Sequence, residues 1–542
     1  MSVSSRFRRA LAVRFAVDGR ALAAFRVVLA TAVLVDLALR APDLRAFYTD
    51  AGVLPRSLLF ELYPTLGRGS LHALSGALWW QYVLLALLAV AAVALAVGYR
   101  TRLATAVTVF LLISLHLRNP VVLNAGHSLL RRLLLWSVLL PLGARWSVDA
   151  RTRDPSPSAA ADSSSNQPAD AATSRVYSLA TVGLLVQILA VYVVNAVVKA
   201  RGTAWAAGTA GRLVFGMDAL TVMLGDVLAG FPALLTAGTY AWVALLALSP
   251  LLVIATGRVR VALVGAFAAG HLAMALTLRL GVFPLVSLGA LLVFLPSSVW
   301  DRVERVADHR LAPRVDAVAA RLRDAGPPRS PIPSTDALPA SIRALGAGSG
   351  RAFAAVLLAF VLVWNAAALG AIALPSDVTE TVDAEERRWD MFAPEPRSTG
   401  GWYVTVGTTT DGERVDLSPG TASTTMPPDV DATYPGHRWY FYLTTLRDAP
   451  GPPKPLLDRF PQYLCERWDR RHDSTLASVN VTFVERRVVL DGPDRITVRP
   501  FGTSTTACEP DATGPANASA RPETVPGGEP KPISVVPPER LP

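Results

Sequence analysis

Nine apolar runs dominate this chain, near positions 21–39, 79–97, 103–117, 129–143, 177–198, 238–256, 261–278, 282–296 and 352–374. As helices rising 1.5 Å per residue, most are long enough for the ~30 Å hydrocarbon core of a bilayer, with those near 129 and 282 falling short. Composition agrees. The 542 residues are 51% hydrophobic and only 17% charged, with a mean hydropathy of +0.36, more apolar than a soluble protein of this length needs. The first run follows basic residues but is interrupted by Arg26 and Asp36, and no cleavage site follows it. It therefore reads as an uncleaved first helix. The expected fold is an all-α polytopic membrane domain of about nine transmembrane helices, in the plasma membrane, followed by a β-rich extracytoplasmic C-terminal domain.

Arginines set the expected orientation. They concentrate in Arg6–Arg20, at Arg100 and Arg102, in Arg145–Arg175, at Arg258 and Arg260, and in Arg302–Arg351, alternating with connections poorer in basic residues. Basic loops stay in the cytoplasm, which places the N-terminus there and, with nine crossings, the region after residue 375 outside. The net charge of +10 then serves topology and anionic lipid, and calls for no nucleic acid.

The segments divide as follows: a cytoplasmic N-terminus (1–20), a first helical half (21–150), a disordered Ser/Ala/Asp/Pro-rich cytoplasmic linker (151–174), and a second helical half (175–300). A cytoplasmic amphipathic segment and Pro-rich linker (301–350), the last helix (351–375), the β-rich domain (376–509) and a disordered tail (510–542) complete the chain. Strands are expected at Trp402–Val406, Val479–Leu490 and Ile496–Val498, with Asp411-Gly412 and Asp491-Gly492 as turns. The chain's two cysteines, Cys465 and Cys508, both fall in this domain, where they form either a disulfide or two unrelated thiols.

Of 52 Lys+Arg residues only three are lysine: Lys199, Lys454 and Lys531. Lys199 ends an apolar run. An arginine there would keep its charge under all physiological conditions, whereas a desolvated lysine can release a proton. The plain alternative is a lysine snorkelling to the membrane edge. Tyr192, Asn195 and Lys199 stand at i, i+3 and i+7 on one helix face, with Gln187 off that stripe. Polar groups on such a face belong against protein, either as a site or as interhelical glue. His127, in Asn124-Ala-Gly-His-Ser128, and His271 are expected on the same outer side, and His116 near the outer end of the third run; each alone is more often a satisfied interhelical histidine. Asp36 is expected to pair with an arginine, with Arg26, Arg131 and Arg132 as the candidates. No metal-ligand cluster, phosphate-binding glycine loop or nucleophile triad is legible.

In order and spacing these residues resemble the vitamin K-dependent gamma-carboxylase superfamily, specifically its prokaryotic HTTM (horizontally transferred transmembrane) domain proteins. The resemblance is carried by Ala24-Phe-Arg26, Asp36, Phe47-Tyr-Thr-Asp-Ala-Gly-Val-Leu-Pro55, Val97-Gly-Tyr-Arg100, Asn124 to Ser128 and Trp146-Ser-Val-Asp149. It continues through Gln187-Ile, Val191-Tyr192, Lys199, Trp205, His271, Gly281, Phe283, Pro296 and Trp389-Asp-Met391. It implies Lys199 as the base that deprotonates reduced vitamin K (menaquinol), with supporting roles for His127 and His271. It further implies quinone-binding roles for Gln187, Tyr192, Asn195 and Asn124, and a secreted or membrane protein as the carboxylated substrate. The carboxylases carry two adjacent lysines where this chain has Val198-Lys199, and the external domain here is shorter. The competing reading is a non-enzymatic lipid- or quinone-binding or scaffold protein that keeps the fold.

Overall fold

The computed structural model describes residues 10–151, 175–306, 340–375, 389–417, 424–427, 429–448, 454–500 and 505–508. The linker at 152–174, most of the second linker, the tail from 510 and Lys531 lie outside the described residues.

All nine apolar runs are helical: α1 Gly19–Arg40, α2 Leu78–Val97, α3 Thr101–Arg118, α4 Ala125–Val138, α5 Leu179–Ala200, α6 Pro232–Ala247, α7 Gly257–Thr277, α8 Phe283–Leu292 and α9 Ala340–Ala368. Among the described residues, six of them (α1, α2, α3, α5, α7 and α9) are long and apolar enough to cross a membrane. The other three are shorter. α4 has 14 residues and α6 has 16, while α8 breaks into a second helix, Ser297–Val306, bent by 103°. Taking that bent pair as one span gives seven. α9 begins at Ala340, earlier than the expected 351, because Ala and Leu in Ala340–Ala347 are good helix formers that the preceding prolines do not interrupt.

The ends of these helices are written locally. Asp18 caps α1 by accepting the Arg20 N–H at 2.9 Å. Ser178 and Thr181 cap α5 reciprocally, and Asn124 and His127 do the same for α4, satisfying N–H groups that have no intrahelical partner. α2 stops at Gly98, whose φ of 73° suits glycine. α1 packs against α2 and α8, and α5 packs against α4, α6 and α9.

The C-terminal region is α+β rather than β-rich alone. Strands β1 Thr399–Thr409, β2 Arg414–Asp416, β3 Leu476–Arg487 and β4 Arg495–Pro500 form an antiparallel sheet in the order β2-β1-β3-β4, with the short β5 Thr506–Ala507 also on β3. Both expected turns connect neighbouring strands. Two helices that sequence reasoning did not assign pack on this sheet: α10 His437–Asp448 through Tyr403 Oη donating to Leu443 O at 2.9 Å and Arg447 over the ring of Phe483, and α11 Lys454–Asp469 against β3 and β5. The aromatic run Trp439–Tyr442 has strand-like composition, and Pro461 lies inside α11; packing overrides both preferences. Phe47, in the connection after α1, packs its ring 4.7 Å from that of Trp439, so a single apolar core runs from the helices into this region. Cys465 and Cys508 are bonded, with Cα atoms 5.7 Å apart.

Candidate functional site

A cavity of about 740 Å³ lies among α5, α6 and α7, and its wall is almost wholly apolar. Lys199 reaches it from the last turn of α5 and is 2% exposed. Its Nζ donates to the carbonyl of Met391 and sits 3.9 Å from the ring centroid of Trp205. An aromatic face and a carbonyl oxygen are both suited to an amine, so Lys199 is held within protein instead of snorkelling outward.

The segment 389–395 crosses the end of α5 and closes this part of the cavity. Asn195 Nδ2 donates to Trp389 O at 3.1 Å, and Trp205 Nε1 donates to Phe392 O at 2.9 Å. Gly202 is required where the segment passes, because a Cβ there would clash with the Pro394 carbonyl. Glu395 accepts from the Thr203 N–H, from Thr203 Oγ1 at 2.9 Å and from the Ala204 N–H at 3.0 Å. Burial pushes its carboxyl up, but the donors on Ala204 and Thr203 outweigh this and hold it below the ordinary carboxylate range.

Two helical turns back along α5, Tyr192 Oη lies 3.0 Å from His271 Nε2 of α7. Both residues line the cavity. Phe267, Trp242 and Phe283 pack their rings around this pair, and His271 Nδ1 is buried without a hydrogen-bond partner among the described residues.

The remaining expected site residues are placed differently. Asn124 touches the cavity, but its amide is engaged: Oδ1 accepts from the Gly126 and His127 N–H groups and Nδ2 donates to Leu280 O at 3.3 Å. Gln187 is buried yet is not part of the cavity wall. His127 also lies behind the wall. Its Nδ1 accepts the Asn124 N–H at 3.0 Å, so the ring proton sits on Nε2, which faces Asp36 Oδ1 at 3.1 Å.

Asp36 does pair with arginine, but not with the expected ones. Arg40 Nε is 2.7 Å from Oδ2, and Arg438 Nη2, from α10, is 3.1 Å from Oδ1. Arg26 is drawn instead to the carbonyls of Leu142, Ala96 and Trp146, Arg131 to His116, and Arg132 to the face of Trp389. Asp36, His116 and His127 bring one potential ligand atom each within 4.8 Å of one another. They do not suit a cation: two guanidinium groups occupy the carboxylate and a third, that of Arg131, approaches His116 Nδ1 at 3.3 Å. In α10, burial and then the Arg438 guanidinium push His437 down to about 3, so it adds no positive charge to this cluster at neutral pH.

Sequence reasoning missed Arg438, Glu395 and the carbonyls of Trp389 and Phe392 as neighbours of these side chains. The motif Trp389-Asp-Met391 marked the segment, but nothing in it announced that its backbone would face α5. No family model, no curated protein and no solved structure matches the chain.

Proposed function

We propose that this protein is a multi-pass membrane enzyme acting on a lipid-soluble quinol, with Lys199 as the base. The observation that carries the reading is a large apolar cavity whose titratable side chains stand at two stations, Lys199 at one and Tyr192 with His271 at the other. Seven residues of α5 separate the stations, about 10 Å at 1.5 Å per residue. A ring carrying oxygens at opposite ends and an isoprenoid tail fits that pattern, with one oxygen toward Lys199 and the other toward Tyr192 and His271. Menaquinol has this form, and O₂ and CO₂ partition readily into such an apolar space. Water exclusion favours proton removal by an amine and protects a carbanion formed afterwards. Carboxylation of a secreted or membrane protein is the extended form of the proposal and rests on the resemblance to the gamma-carboxylase superfamily. His127 acts through Asn124 and the start of α4 as a positioning group.

The arginine distribution supports a cytoplasmic N-terminus and an extracytoplasmic C-terminal region, and a disulfide between Cys465 and Cys508 suits an oxidising compartment. A second reading, a quinone- or lipid-binding protein without turnover, is favoured by the contact of Lys199 with Trp205 and the Met391 carbonyl, which would serve a permanent cation equally well.

The two readings separate on Lys199→Arg. In nanodiscs supplied with menaquinol and O₂, wild type should oxidise the quinol, and Lys199→Arg and Lys199→Ala should both lose about 100-fold or more, the range of a missing general base. Full activity of the arginine variant, or no quinol oxidation by wild type, overturns the catalytic reading.

A further inference from the structure

Lys199 is buried by a segment that reaches it from far along the chain. Residues 389–395 meet the end of α5 and the residues just after it at four consecutive points: Asn195 on Trp389 O, Lys199 on Met391 O, Trp205 on Phe392 O, and Thr203 with Ala204 on the Glu395 carboxylate. The first three use backbone carbonyls of the segment and are largely enclosed. The fourth is different in kind. Glu395 is exposed, its carboxylate receives two backbone N–H groups and a hydroxyl, and it belongs to no part of the cavity wall, whereas Met391 and Phe392 do.

We propose that Glu395 is a positioning residue for Lys199: it latches the 389–395 segment over the polar end of the cavity, holding the Met391 carbonyl on the amine and keeping water away from it. The inference rests on reading the cavity as the ligand site, but the latch has a physical consequence that needs no turnover. Charge-assisted hydrogen bonds are among the stronger ones available to a surface segment. With the carboxylate gone, three donors lose their partner, and the segment opens more often by local unfolding. Each opening exposes Lys199 and Trp205 to solvent.

The chain is well suited to the test because it has only three lysines. Full-length protein in nanodiscs would be treated with a water-soluble amine-acylating reagent, and modification of Lys199 followed by peptide mass spectrometry, with the unfolded chain setting full reactivity. Glu395→Ala should raise the Lys199 modification rate about tenfold or more, and Glu395→Gln, which keeps the shape and an acceptor oxygen, should fall between it and wild type. Thr203→Pro attacks the same latch from the other side: it deletes an N–H and the hydroxyl, while proline is tolerated in a first helical turn. It should act in the same direction. Quenching of tryptophan emission by iodide should rise in parallel as Trp205 becomes accessible.

Unchanged Lys199 modification in both Glu395→Ala and Thr203→Pro overturns the latch. That result leaves the quinol reading intact, whereas a wild type that is well protected yet oxidises no quinol overturns the reading and leaves the latch.

Discussion

Two of the buried polar constellations in the helical part of this molecule, around Asp36 and around Lys199, differ in what surrounds them. Around Asp36 the space is filled: Arg40, Arg438 and His127 each touch the carboxylate, and Tyr48 accepts from Arg40. Around Lys199, Tyr192 and His271 the space is open, an apolar cavity with few polar groups on its wall. In sequence both are titratable residues within apolar runs, and both invite a functional reading. The difference lies in satisfaction. A carboxylate held by two guanidinium groups and an imidazole has little capacity left for a ligand, and its removal leaves charges buried without a partner. A lysine and a Tyr–His pair facing a void have capacity to spare.

Stability measurements should therefore split the two sets, and the largest effect belongs to Asp36. Asp36→Ala strands Arg40 and Arg438, fully buried, and should destabilise by about 3–5 kcal/mol. Loss of monodisperse protein in detergent, or a steep fall in Tm, is the expected outcome; a Tm near that of wild type would erase the distinction between the sets. His127→Ala comes next. It removes a hydrogen bond to Asp36 and half of the reciprocal cap on α4, together worth about 1–3 kcal/mol.

The cavity set should behave in the opposite way. Lys199→Ala removes a buried amine held, among the described residues, by one carbonyl and the face of Trp205, so Tm should stay within a few degrees of wild type or rise while quinol oxidation is lost. A collapse of stability comparable to that of Asp36→Ala would make Lys199 a structural residue. Smallest of all is Tyr192→Phe, which deletes one hydroxyl contacting His271. It should change stability by about 1 kcal/mol or less, and its informative readout is the apparent KM for menaquinol in nanodiscs, which should increase several-fold. An unchanged KM would remove this pair from the ligand's path.

The C-terminal region joins both constellations, which gives it a part in the site that its position late in the chain conceals. Arg438 from α10 completes the Asp36 cluster. The 389–395 segment covers Lys199. The C-terminal region thus supplies a counter-charge to one set, from α10, and a roof to the other, from the segment just before β1.

Much of this was written locally. Apolar runs set where the helices lie, because backbone groups in hydrocarbon must bond within their own segment. Ser178, Asn124 and Gly98 marked helix ends through hydrogen bonds or φ angles that involve only near neighbours. The rarity of lysine singled out Lys199, and helical periodicity placed Tyr192 and Asn195 on its face. The runs near 129 and 282 were legible as short, but none of these signals could say that α6 stops at 16 residues or that the chain turns by 103° after α8. Nor could they choose the partner of Asp36: Arg40 lies one turn away, but Arg438 is 402 residues distant, and Arg26, in the same helix, finds carbonyls instead. The cavity itself is a property of packing, formed where α5, α6 and α7 leave room, and Gln187 and His127 fall outside it although sequence reasoning grouped them with Lys199. Sequence fixes the chemistry a side chain carries and the helix face it stands on. Whether that chemistry meets an empty space, a counter-charge or a carbonyl from residue 391 is decided only when distant segments are brought together by burial of their apolar surfaces.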